Sequence, residues 1–336
     1  MQKNTPKISI ITPSYNQGNY LQETILSVIN QKYSSYELII IDGGSTDNTI
    51  EVIKKYEEYI TYWVSEKDRG QSHAIRKGLA IATGDIINWI NSDDLVAPGA
   101  FHCIAAEFYL DKYDVICGNC DYFLNSLNHL DLRNERMGLG TTVGNTLVEQ
   151  KINQPSTFFK ASVLKALGVD EQYHYAMDLE LWFRYLLQAG QQRVLLSDSL
   201  FTYFRLHETS KSVAQSSRFV GDIEKVFYNV LHSLNAPRVL LDFARLNIPN
   251  ADAFSPIRYP VAVSTKETSY FLLHMALLAK QHYSEIKNVV AARESLLVAQ
   301  QNGHPKAPSV LRQLAKSLIP NKVLSWLASQ RNKRKI

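Results

Sequence analysis

Near the start of the chain, apolar residues come in short, nearly unbroken runs separated by longer stretches where they recur every three or four positions. The runs "ISIIT" (8–12), "ELIIID" (37–42), "TYWVSE" (61–66), "DIINWIN" (85–91) and "DVICGN" (114–119) read as strands. Between them, 20–30 carries Leu21, Ile25, Val28 and Ile29 on one helical side, and 47–59 and 71–82 repeat the pattern. Pro98 and Gly99 open a further helix to about 110. Strands apolar at nearly every position are covered on both faces, so the alternation predicts an α/β fold with a mostly parallel sheet flanked by helices.

Beyond this block the pattern changes. Residues 125–151 are polar and irregular, with Gly138, Gly140 and Gly144, and read as a long loop. Helices follow over 161–167 and along "DLELWFRYLLQAG", closed by Gly190 as a C-cap. "RVLLSD" and "FTYFRLH" read as two strands. After Ser212 the chain is mainly helical, with a hairpin over 267–282 and 284–302 that Gly303 to Pro308 breaks. The expected division is 1–215 as one domain and 216–336 as a helical C-terminal region. Its last stretch repeats Val310, Leu311, Leu314, Leu318, Val323, Leu324 and Leu327 among Lys and Arg. That pattern suits a helix packed on the body, or an interfacial helix meeting anionic lipid.

Composition narrows the function without naming it. With 336 residues, 45% hydrophobic and 20% charged, the chain can bury a sizeable core. Its formal charge of +4 is concentrated in "RNKRKI", so the body is about neutral, unlike a nucleic-acid binder with a basic face. Cys117 and Cys120 form a single C-x-x-C without a second pair, too few for a tetrahedral metal site. They read as small buried residues of a reduced compartment. No signal-peptide pattern opens the sequence and no apolar run reaches the ~20 residues of a membrane span. The expectation is a cytoplasmic protein, peripheral at the inner membrane face if the basic end engages lipid.

Sheets of this kind bind ligands outside the carboxyl ends of their strands. Those ends read Thr12-Pro13-Ser14-Tyr15, Asp42-Gly43-Gly44-Ser45, Ser65-Glu66-Lys67-Asp68 and Asn91-Ser92-Asp93-Asp94. Neither a G-x-G-x-x-G nor a P-loop follows the first strand, so no glycine cradle holds a nucleotide there. Asp93 and Asp94 repel each other unless a cation lies between them and a phosphate, a role that suits Mg²⁺ or Mn²⁺. A solvated turn or a helix cap would explain the pair equally well by itself. Acids at the ends of two other strands favour the cation.

"ISIITPSYNQGNYLQETILSVINQ", "ELIIIDGGSTDNT", "SEKDRGQSHAIRKGLAIATGDIINWINSDD" and "QPSTFFKASVL…YAMDLELWFRYL", in that order, resemble the family 2 glycosyltransferases over roughly 7–212. The resemblance implies a GT-A-type, Rossmann-like fold and an inverting transfer from a nucleoside diphosphate sugar, UDP by preference. The acceptor it implies is a saccharide or lipid-linked saccharide, in bacterial surface-polysaccharide synthesis. It also assigns roles. Asp42 contacts the base, Thr12, Pro13, Ser14 and Tyr15 lie beside the nucleoside, and Asp68 reaches base or ribose. Asp93 faces the ribose and metal, and Asp94 ligates Mn²⁺ or Mg²⁺, with His207 completing the metal or diphosphate site. Asn91 stands where many members have an acid, with Ser92 beside it. Arg76, in place of a usual Asn, is a candidate phosphate contact, and Gln154 one for the sugar. Asp178 is the expected catalytic base and Glu180 the second choice, although a helix dipole alone favours acids there. An inactive nucleotide-sugar or glycan-binding relative, and a nucleotidyltransferase using a metal-bound acid pair, are the alternatives.

Overall fold

The computed structural model describes residues 5–124, 130–151, 153–207 and 216–303. They divide into two compact units, 5–139 with 150–223 and 140–149 with 224–303.

The first unit opens with β1 (Ile8–Ser14), α1 (Gly18–Ile29), β2 (Tyr36–Asp42), α2 (Thr49–Lys55), β3 (Tyr62–Ser65), α3 (Gln71–Ile81) and β4 (Ile86–Trp89). These strands are parallel in the order β3-β2-β1-β4, as right-handed crossovers through helices require. Ile8, Ile10, Ile11 and Leu38 to Ile41 are fully buried, which explains why both strands are apolar almost without alternation. Helix α3 lies so close to β1 that a Cβ on Gly78 would meet Ile11 Cγ2 at 2.4 Å.

The chain continues through β5 (Leu95–Val96), α4 (Ala100–Glu107), β6 (Val115–Leu124), β7 (Leu130–Glu135), β8 (Thr157–Lys160), α6 (Ala161–Leu167), α7 (Met177–Ala189) and β9 (Val194–Leu206); α5 (Val143–Glu149) lies in the second unit. The full strand order is β3-β2-β1-β4-β8-β6-β9-β5, with β7 on β6. Strand β8 runs antiparallel to both β4 and β6, β5 antiparallel to β9, and β6 parallel to β9. The sheet is therefore parallel in its first half and mixed in its second.

Two readings of the pattern need correction. The stretch expected as a long loop over 125–151 contains β7 and α5, because β7 takes its partner from β6 and not from its own apolar content. The two strands expected around 193–207 are one thirteen-residue strand, β9, whose register against β6 shifts between Cys117 and Cys120. Cys117 and Cys120 are free and buried, and burial pushes both thiols up to about 12, away from thiolate chemistry.

Helix α8 (Ser216–Ser233) gives its first turns to the first unit and the rest to the second. The second unit adds α9 (Arg238–Arg245) and the hairpin α10 (Thr265–Glu285) and α11 (Val289–Gln301). Ser264 caps α10 by accepting from Glu267 N, and Glu267 in turn accepts from Val143 N at the start of α5. No described helix is long and apolar enough to cross a membrane. The amphipathic stretch 310–327 lies outside the described residues.

Candidate active site

The register of the parallel block aligns Ser14 with Asp42 and Asp42 with Ser65, a row of polar residues at the carboxyl ends of β1, β2 and β3. Asp42 is fully buried. Its Oδ2 accepts from Gly44 N at 3.0 Å, Ser45 N at 2.8 Å and Ser65 Oγ at 2.6 Å, while Oδ1 accepts from Ser45 Oγ. The carboxylate thus shapes the loop after β2 and retains acceptor capacity only at Oδ1. Asp68 accepts from Gly70 N at 2.8 Å and lies against Gly43, where a Cβ would stand 3.0 Å from its Oδ2. Pro13 is buried and Tyr15 is exposed. Thr12 Oγ1, Ser14 Oγ and Gln17 Oε1 are buried without a hydrogen-bond partner. Buried polar atoms are almost always paired, so these three are candidates for contact with a ligand or an ordered water.

The acidic turn after β4 is built from several elements. Thr24 Oγ1 on α1 donates to the carbonyls of Ser92 and Asp94, at 2.9 and 2.8 Å. Asn91 is clamped on both sides: it accepts from Gln71 Nε2 at 2.7 Å and donates to Asp94 Oδ2 at 3.1 Å. Asp94 Oδ1 accepts from Arg205 N at 3.0 Å. Burial first, and the Asp93 charge second, hold the Asp94 carboxyl well above the usual carboxylate range. Asp93 is only partly buried, and its Oδ2 lies 2.9 Å from His207 Nε2.

Asp94 points into the protein and spends both oxygens on it, while Asp93 meets His207. Asn91 in the place of an acid also has a physical account, since a carboxylate there could not donate to Asp94. Among the described residues no group of three or more His, Cys, Asp or Glu side chains is placed to hold a metal, so Asp93, Asp94 and His207 do not converge as one ligand set.

Arg205 was not singled out by the sequence pattern. It is buried, donates from Nε to Asp93 O at 2.9 Å and from Nη2 to Glu23 at 2.7 Å, and packs between the rings of Tyr20 and Phe123. The His207 ring lies tilted against the same Tyr20, with centroids 4.6 Å apart. A charged residue within the apolar run "FTYFRLH" was the available signal.

A small cavity of about 20 Å³, room for about one water, is walled by Trp89, Gln154, Thr157, Phe159, Asp178 and Trp182 among others. Asp178, in the first turn of α7, accepts from Leu179 N at 2.9 Å, yet burial outweighs that bond and raises its carboxyl above the usual range. Gln154 donates to Asn88 Oδ1 at 3.1 Å and to Trp89 O at 2.7 Å, which fixes its side chain in the cavity wall. Glu180 is elsewhere: it is fully buried, bonded to Arg184 at 2.8 and 3.0 Å, and Arg184 also holds Gly168 O at 2.9 Å. Its carboxylate is a structural ion pair. Arg76 is exposed and grips Glu171 at 2.6 Å together with Arg69 at 2.7 Å.

Residues 9–167 match the family described as Glycosyl transferase family 2. This segment, just under half of the chain, is similar to a family 2 glycosyltransferase domain. Over 196 residues it is 32% identical to an uncharacterized glycosyltransferase of Rickettsia typhi, covering 55% of this chain and 61% of that protein. Over 124 residues it is 33% identical to the uncharacterized glycosyltransferase YibD of Escherichia coli, covering 36% of each. The match thus spans less than two thirds of either relative. S. aureus TarS 1–349 in complex with UDP-GlcNAc superposes with a TM-score of 0.55 at 17% identity, covering 87% of this chain and 81% of that one. A mannosyltransferase of Pyrobaculum calidifontis in complex with GDP-Man and Mn²⁺ gives 0.51 at 18%, covering 97% and 84%. The domain has the GT-A fold of these glycosyltransferases.

Proposed function

We propose that the protein is an inverting, metal-dependent glycosyltransferase moving a sugar from a nucleoside diphosphate donor to a saccharide or lipid-linked saccharide acceptor. The observation that carries this reading is Asp178, a carboxyl of raised pKa in a cavity wall, held by a different element from the Asp93–His207 pair. A base of raised pKa takes a proton more effectively near neutral pH than an ordinary carboxylate. One base is all that inverting transfer needs. Asp178 removes the proton of the acceptor hydroxyl as its oxygen bonds to the anomeric carbon. The bond from that carbon to the diphosphate breaks, and its electron pair leaves with the nucleoside diphosphate.

The residues suit a divalent ion in the form of a two-ligand site. Mg²⁺ is usually bound through one or two carboxylates plus substrate phosphates. Asp93, with His207 beside it at 2.9 Å, would hold such an ion here. A Mn²⁺ or Mg²⁺ held there with the donor's phosphates supplies positive charge to the departing diphosphate. On the nucleoside side, Thr12 and Ser14 offer unpaired hydroxyls, and Asp42 and Asp68 offer acceptors beside Gly43. UDP is the favoured nucleotide, and surface-polysaccharide synthesis the favoured setting.

Thermal unfolding with UDP-, GDP-, dTDP- and CMP-sugars, each with and without Mn²⁺, tests the reading. A stabilisation by one nucleotide class that depends on Mn²⁺ is expected. No shift with any donor overturns it.

A further inference from the structure

The backbone leading into α7 is held by α8. Asp222, almost fully buried on α8, accepts with one oxygen from two successive main-chain groups, His174 N at 3.0 Å and Tyr175 N at 3.1 Å. Arg218, one turn earlier, donates to Tyr175 Oη at 2.9 Å, and Phe219 packs edge-on against the Tyr175 ring. On its other side the same stretch is tied to α3, through Ser72 Oγ donating to Tyr173 O at 2.6 Å. Met177 begins α7, and Asp178 follows. None of these tethers touches the cavity.

Resting on Asp178 as the base, we propose that Asp222 is the positioning residue for it. By pairing the amides of His174 and Tyr175, Asp222 fixes the direction in which the chain enters α7 and thereby where the Asp178 carboxyl stands. A carboxylate oxygen receiving two N–H groups is a charge-assisted clamp, stronger and more directional than neutral hydrogen bonds. A base displaced by about 1 Å loses about 100-fold in rate.

The test compares the full-length wild type, Asp222→Asn, Asp222→Glu and Asp178→Asn. Turnover is measured with the donor found by the thermal panel, Mn²⁺-dependent nucleotide binding by thermal shift, and amide exchange at 174 and 175 by mass spectrometry. For Asp222→Asn we expect kcat to fall about 10- to 100-fold, donor KM to stay within about twofold, and both amides to exchange faster; Asp222→Glu recovers part of kcat. If Asp222→Asn does not fold, Tyr175→Phe, which removes only the hydroxyl held by Arg218, is read in the same way. Wild-type kcat in Asp222→Asn alongside a dead Asp178→Asn overturns the positioning role and leaves the base in place. A loss confined to melting temperature or donor KM overturns it as well. Full activity in Asp178→Asn removes the base, and the proposal with it.

Discussion

His207 Nε2 lies 2.9 Å from Asp93 Oδ2, joining the end of β9 to the turn after β4 across 114 residues of sequence. Through that contact the two are expected to act as a unit. Asp93→Asn and His207→Ala should each weaken Mn²⁺-dependent nucleotide binding by about 10-fold or more, the usual scale of losing a metal contact. The double variant should be little worse than either single one. Titration by calorimetry checks this, and fully additive losses would argue against a shared site.

Asp178→Asn should lower turnover by about 10²- to 10⁴-fold, the usual contribution of a general base, while nucleotide binding persists. It should also alter stability with a definite sign. Because burial raises the folded-state pKa, the ionised form is disfavoured in the folded protein, and that penalty is complete above the folded pKa. The variant should therefore melt higher than wild type at neutral pH, and the gain should fade as pH drops toward the ordinary carboxylate value. A melting series from pH 4 to 8, in roughly unit steps, reads both ends.

Asn91→Asp brings a second carboxylate to within reach of the buried Asp94 and removes its donor. The expected cost is about 1–3 kcal/mol at neutral pH, the penalty for an unsatisfied buried polar group. Protonation relieves it, so the deficit should shrink as pH falls through the raised folded pKa of the acid pair. Urea unfolding at two pH values measures the difference.

Arg205→Met keeps the stem between Tyr20 and Phe123 but removes the donors to Asp93 O and Glu23. A loss of about 2–3 kcal/mol is expected from the charged hydrogen bonds and the ring contacts together. Nucleotide binding should weaken too, because the carbonyl of Asp93 is one of the points that orient its side chain. An unchanged urea midpoint would refute this account of Arg205.

Glu180→Gln should be a stability variant. It leaves Arg184 without its buried partner at a cost of about 3 kcal/mol, with turnover per folded molecule within about twofold of wild type. A turnover loss as large as that of Asp178→Asn would place Glu180 in the chemistry instead.

Local pattern was enough for the parallel block. Strands such as Ile8–Ser14 and Tyr36–Asp42 are apolar throughout, and the helices between them keep a 3.6-residue period, so each element declares itself. The same pattern located the strand ends and with them Asp42, Asp68, Asp93 and Asp94. It did not reveal β7, or the continuity of β9 past residues 197–199, because partner strands stabilise both segments.

What sequence order could not carry was the direction of individual side chains. Asp93 and Asp94 are adjacent and chemically identical; only the packing of α1 and β9 around the turn decides which faces inward. Thr24 holds the turn's carbonyls, and the Arg205 amide and Asn91 take the Asp94 carboxylate, leaving Asp93 to His207. Asp178 and Glu180 are separated in the same way, by the helical turn of about 100° per residue that sends one toward the cavity and the other toward Arg184. The sequence by itself determined the element types and the residue chemistry at the strand ends, since these follow from local periodicity. The tertiary structure decided which carboxylate is buried, which is paired and which stays available, because desolvation and long-range hydrogen bonds arise only when distant segments meet.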